Sequence, residues 1–83
     1  MERFLIISPH TEKDCADALR QFLYIGYITH FDWGCASGEH TGYAIIEAND
    51  SKEAIMVVPP SHRPNVKAIR LNKFSPEQIK EMH

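Results

Sequence analysis

Residues 27–48, YITHFDWGCASGEHTGYAIIEA, decide the fold. The segments YITHFDW and HTGYAIIEA are rich in β-branched and aromatic side chains, and GCASGE between them supplies two glycines and a serine. Two strand-like runs around such a loop predict a β-hairpin. Upstream, RFLIIS is a third strand-like run. Thr11 follows as an N-cap with Asp14 three residues on, as in a capping box. Cys15, Ala18, Leu19, Phe22 and Leu23 then recur at the spacing of one apolar helical stripe, which Gly26 ends.

Downstream of the hairpin, Asn49, Asp50 and Ser51 offer N-caps for a second helix through KEAIMVV. Pro59 and Pro60 stop it, since proline supplies no N–H. PPSHRPN reads as a loop, VKAIRLN as a fourth strand, and Ser75-Pro76-Glu77-Gln78 as the start of a short terminal helix anchored by Ile79 and Met82. The order β-α-β-β-α-β is that of a ferredoxin-like α+β domain over residues 1–83. It predicts a four-stranded antiparallel sheet of order 4-1-3-2, two helices on one face and the short C-terminal helix beyond.

A sheet covered on one side alternates apolar and polar residues along its strands. Here Phe4, Leu5, Ile6 and Ile7 are all apolar, as are Tyr43 to Ile46, and Ile69 and Leu71 share a face opposite Val66, Ala68 and Arg70. Helices on one side leave the second face open, and the expected cover is a second copy, giving a homodimer through the open sheet faces. The plainer alternative folds the terminal helix over that face. In element order, and in the segment TGYAIIEANDSKEAI, the chain resembles small stand-alone ferredoxin-like domains of the dimeric α/β-barrel superfamily. That group includes muconolactone isomerase-like enzymes, small monooxygenases and compact nickel-binding domains. The resemblance carries no catalytic motif; it implies a ligand site between the open sheet face and the surrounding loops.

Composition narrows the partners. With 83 residues, 43% hydrophobic, 24% charged and a net charge of −2, the chain is an ordinary small globular domain. Such a chain buries only about 60% of its unfolded surface, so its core is marginal. Scattered Lys and Arg form no basic stripe, which argues against nucleic acid. The only long apolar run near the start is four residues, too short for a membrane span or a signal peptide. Two cysteines without CxxC spacing form no disulfide framework. These features predict a reduced, cytoplasmic protein without membrane partners.

The chemistry-bearing residues crowd into the hairpin. His30 and Asp32, two apart on an expected strand, would share a face as an acid/base pair or as metal ligands. With Cys35 and His40 they give the spacing H-x-D-x2-C-x4-H, whose donors suit zinc, nickel or copper. His30, Asp32 and His40 form the expected metal set, with Cys35 its least certain member. His10 ends the first strand and, with His30 and Tyr43, lines the expected ligand pocket. Cys15 is assigned to the helix core, and Phe31 and Trp33 to packing. No P-loop, GxGxxG, HExxH or GxSxG motif is present.

Two functions follow. The first is a binding module that holds a small-molecule ligand or a divalent metal near the sheet and the hairpin. The alternative is a small cofactor-independent enzyme of isomerase or monooxygenase type. There His30 would be the base, Asp32 would orient it, and Tyr43 or Arg70 would steady an oxyanion.

Overall fold

The computed structural model describes residues 1–82 as an α+β arrangement around one antiparallel sheet. Its strands are β1 (Glu2–Pro9), β2 (Asp32–Trp33), β3 (Thr41–Ala48) and β4 (Lys67–Leu71). The helices are α1 (Cys15–Ile25), α2 (Ser51–Ala54) and α3 (Pro76–Lys80). The order across the four-stranded sheet is β2-β3-β1-β4, and the same neighbours read 4-1-3-2 from the opposite edge. β1 and β3 are central and pair along their whole lengths, from Glu2 with Ala48 to Pro9 with Thr41.

The covered face follows strand parity. Phe4 and Ile6 of β1 and Ala44 and Ala48 of β3 are buried, and Phe22 of α1 and Ala54 of α2 pack among them. On the other face, Leu5 stands between Ile45 and Ile69 in the paired register, and Ile7 stands between Tyr43 and Lys67. Ile45 is 60% and Ile69 46% exposed, so the terminal helix leaves this face open. Ile79 and Met82 are themselves exposed rather than anchored.

Capping shows why the helices sit where they do. Asp50 accepts from the Glu53 N–H at 2.8 Å, which starts α2. Ser75 and Gln78 form a reciprocal capping box at α3, as their spacing predicts. α1 ends at Gly26, whose φ of 87° places it in the left-handed region. Thr11 does not cap α1. It closes a turn with Asp14, its hydroxyl donating to the Asp14 carboxylate at 3.0 Å, and the helix begins only at Cys15.

Other departures have packing causes. Residues 27–33 are not one strand: Ile28–His30 winds into a 3-10 turn, and only Asp32 and Trp33 pair with β3. The segment is drawn inward because Phe31 is buried against Phe22, their ring centroids 4.8 Å apart. Trp33 Nε1 donates to the Ile28 carbonyl at 3.3 Å, which closes the turn. The second helix keeps a single α turn and continues as a 3-10 turn, Ile55–Val57, where β-branched residues meet the two prolines. PPSHRPN is 3-10 helical over Pro60–Asn65 rather than irregular. On α1, Ala18 and Phe22 are buried while Leu23 faces solvent.

Candidate metal centre

Four side chains from four points of the chain meet at one end of the sheet. His10, Cys15, Cys35 and His40 each place one ligand atom so that all four lie within 4.8 Å of one another, and all four residues are half-buried. The β1–β3 ladder supplies the first two contacts. It continues one step beyond Pro9 and Thr41, where the His10 N–H donates to the His40 carbonyl at 3.0 Å. Their rings meet edge to face, centroids 5.7 Å apart.

The cysteines arrive on turns. Cys15 is the first residue of α1, behind the turn that Thr11 and Asp14 close. Cys35 opens a 3-10 turn, Cys35–Ser37, inside the hairpin loop. That loop is held by Gly34 N–H to the Thr41 carbonyl and Glu39 N–H to the Gly34 carbonyl, both at 3.0 Å. Gly38 turns it with a φ of 87°, a conformation that suits glycine. Cys35 Sγ stands 3.3 Å from His10 Nε2.

The wall behind the cluster is aromatic. Trp33 packs edge to face on Phe22 at 4.8 Å and lies 6.1 Å from the His10 ring, centroid to centroid. Gly42 makes that fit: a Cβ there would stand 2.6 Å from the Trp33 ring. Beside His10 opens a cavity of about 350 Å³, lined also by Thr11, Asp14, Ser61, His62 and Asn65.

Burial governs protonation in the cluster. Burial lowers the His10 pKa below its ordinary value, the positive charges of His40 and His62 add to this, and Asp14 opposes it. That direction favours the neutral imidazole, the form in which histidine ligates a metal. Burial, followed by a hydrogen bond with Cys15 and its charge, pushes the Cys35 thiol up. A metal ion would reverse that by replacing the proton. Nδ1 of His40 is shut off from solvent and has no hydrogen-bond partner. Such an orphaned buried polar atom calls for an ion or water to satisfy it.

Of the expected set His30, Asp32 and His40, only His40 lies in the cluster. Cys35, its least certain member, belongs to the cluster, as do His10 and Cys15. His30 ends the 3-10 turn exposed, its ring near Tyr27, and Asp32 is exposed on β2; neither joins the cluster. Tyr43 lies on the open face of the sheet, paired with Ile7. Arg70 is paired with Phe4 toward the other end of β1 and is ion-paired to Glu2 at 3.0 Å. Of these four, Asp32 and Tyr43 are cross-strand partners, while Arg70 stands apart with Glu2.

Cys15 was expected in the helix core because it falls on the apolar stripe. A spacing signal pointed elsewhere: His10 and Cys15 are separated by four residues, and Cys35 and His40 are separated by four in the reverse order. No family model, curated protein or solved structure matches the chain.

Proposed function

We propose that this protein binds one divalent transition metal ion through His10, Cys15, Cys35 and His40. The observation that carries the reading is the convergence of two thiols and two imidazoles within 4.8 Å. In a tetrahedral site with bonds of about 2.0–2.3 Å, ligand atoms stand roughly 3.3–3.8 Å apart. The 3.3 Å between Cys35 Sγ and His10 Nε2 already has that length. Two thiolates and two imidazoles in tetrahedral array favour zinc over nickel or copper(II), which prefer tetragonal geometry. Two thiolate charges also neutralise the dication, which limits the cost of its partial burial.

Four protein ligands close the coordination sphere, which is the pattern of a structural site rather than a catalytic one. Zinc would tie the β1–α1 turn to the hairpin loop and support a small core. Free thiols as ligands fit a reducing compartment such as the cytoplasm. The test is cobalt(II) substitution of untagged protein. The expected result is a tetrahedral cobalt spectrum with a sulfur-to-metal charge-transfer band, abolished in Cys15→Ser and Cys35→Ser and retained in His30→Ala. An octahedral spectrum, or one indifferent to the cysteines, would overturn the reading.

The open sheet face supports a second element of the proposal, a homodimer on a ferredoxin-like frame. Leu5, Ile45 and Ile69 form an apolar row across three strands, with Glu47, Arg3 and Leu71 on one side of it and Tyr43, Ile7 and Lys67 on the other, so that charges stand only in the outer rows. An apolar centre with a charged rim is the anatomy of a protein interface. A second copy covers it most simply, because a domain of this length has little core of its own.

A further inference from the structure

Cys15 and Cys35 are the chain's two cysteines, both are free, and both are half-buried. Twenty positions apart in sequence, they are brought to the same cluster, with their sulfurs within 4.8 Å of each other. Each opens its element, Cys15 at the start of α1 and Cys35 at the start of the 3-10 turn. A disulfide needs its sulfurs about 2.05 Å apart. The two sulfurs, within 4.8 Å of each other, have less than about 3 Å to close.

We propose that Cys15 and Cys35 are a reversible thiol–disulfide pair, and that a hydroperoxide, by joining them, expels the bound metal. The thiol half stands on the two sulfurs alone; the release half rests on the metal reading above. One thiolate attacks the peroxide, its O–O bond breaks, and the sulfur becomes a sulfenic acid as the departing oxygen leaves as water or alcohol. The second thiolate displaces the sulfenic oxygen, which leaves as water, and an S–S bond forms. The two sulfurs together give up two electrons, the peroxide takes them with two protons, and both sulfur–metal bonds are lost. His10 and His40 alone then hold the ion, too few donors for tight binding. A dithiol reductant returns the two electrons and restores the site.

The experiment treats zinc-loaded, untagged, full-length protein with one equivalent of hydrogen peroxide. Released zinc is followed with a chromogenic chelator, and the protein by intact mass and peptide mapping. The expected result is one zinc freed per disulfide, a mass lower by two hydrogens after metal loss, and Cys15 linked to Cys35 within one chain. Dithiothreitol should restore both thiols and zinc uptake. Sulfinic or sulfonic products on separate cysteines, or disulfides only between chains, would overturn the pair. Metal-free protein separates the two ideas. If it crosslinks Cys15 to Cys35 but takes up no zinc, the metal reading and the release step fail while the pair stands. If it binds zinc and never crosslinks, the pair fails and the metal reading stands.

Discussion

At the scale of single residues, the donor cluster makes an ordered set of demands. Replacing Cys15 or Cys35 with serine would remove a thiolate ligand from the proposed four-ligand site. Each change should weaken zinc binding by at least about a hundredfold in a chelator competition, the upper end of what even outer-sphere changes do. His30→Ala and Asp32→Ala should leave that affinity where it was. Protonation follows from the same geometry. His10 has a folded pKa below its ordinary 6.5, so its contribution to metal-free stability is present above that value and is lost as pH falls through the folded pKa. Cys35 is raised above its ordinary 9.0, so its contribution is present below 9.0 and is lost as pH rises through the folded pKa. On these two groups, metal-free protein should be most stable between about pH 6.5 and 9. Urea midpoints measured across that range and on either side of it check the prediction. With zinc, acid should act sooner, because protons compete for every ligand.

At the scale of elements, caps and close approaches divide the chain into coupled and uncoupled parts. Asp50→Ala should destabilise the whole protein by about 1 kcal/mol, since α2 seats the fully buried Ala54. Ser75→Ala removes an equally good cap from α3. Its exposed residues leave global unfolding nearly unchanged, so only helix content by circular dichroism should fall. Gly42→Ala pushes a methyl into the Trp33 ring and should loosen both the β2–β3 pairing and the wall behind His10.

Much of this layout was legible in the chain. The periodicities gave β1, α1, β3 and β4, and capping spacings marked α2 and α3. The site was less legible, because strand parity treats residues 27–33 as one continuous strand. Buried Phe31 and the inward Trp33 bend that segment, so His30 and Asp32 never form a shared face there. Cys15 was hidden by position, since it falls on the helix stripe yet marks the helix start, where the chain turns back toward His10. Periodicity along one element carries no information about which loops meet at the end of a sheet.

At the scale of the whole molecule, two weak points of a small domain coincide with its two unusual features. Its core is small, and a metal held by the His/Cys cluster would tie the β1–α1 turn to the hairpin loop. One sheet face is apolar and open, and the described residues leave it uncovered. Ile45→Lys should therefore turn a dimer into a monomer in light scattering at micromolar concentration; a wild-type monomer under the same conditions would contradict the dimer. Metal removal should lower the thermal midpoint. At free zinc about a hundredfold above Kd, the bound form gains roughly 2.7 kcal/mol. None of the described helices is long and apolar enough to cross a membrane.

The proposed site holds one metal ion on His10, Cys15, Cys35 and His40. Its most direct measurement is native mass spectrometry of untagged protein titrated with zinc. The expected spectrum shows a single added zinc per chain, with protons displaced from both thiols, and no addition in the Cys15→Ser, Cys35→Ser double variant. Wild-type protein that stays metal-free through the titration, or a double variant that binds zinc as well as the wild type, would contradict it.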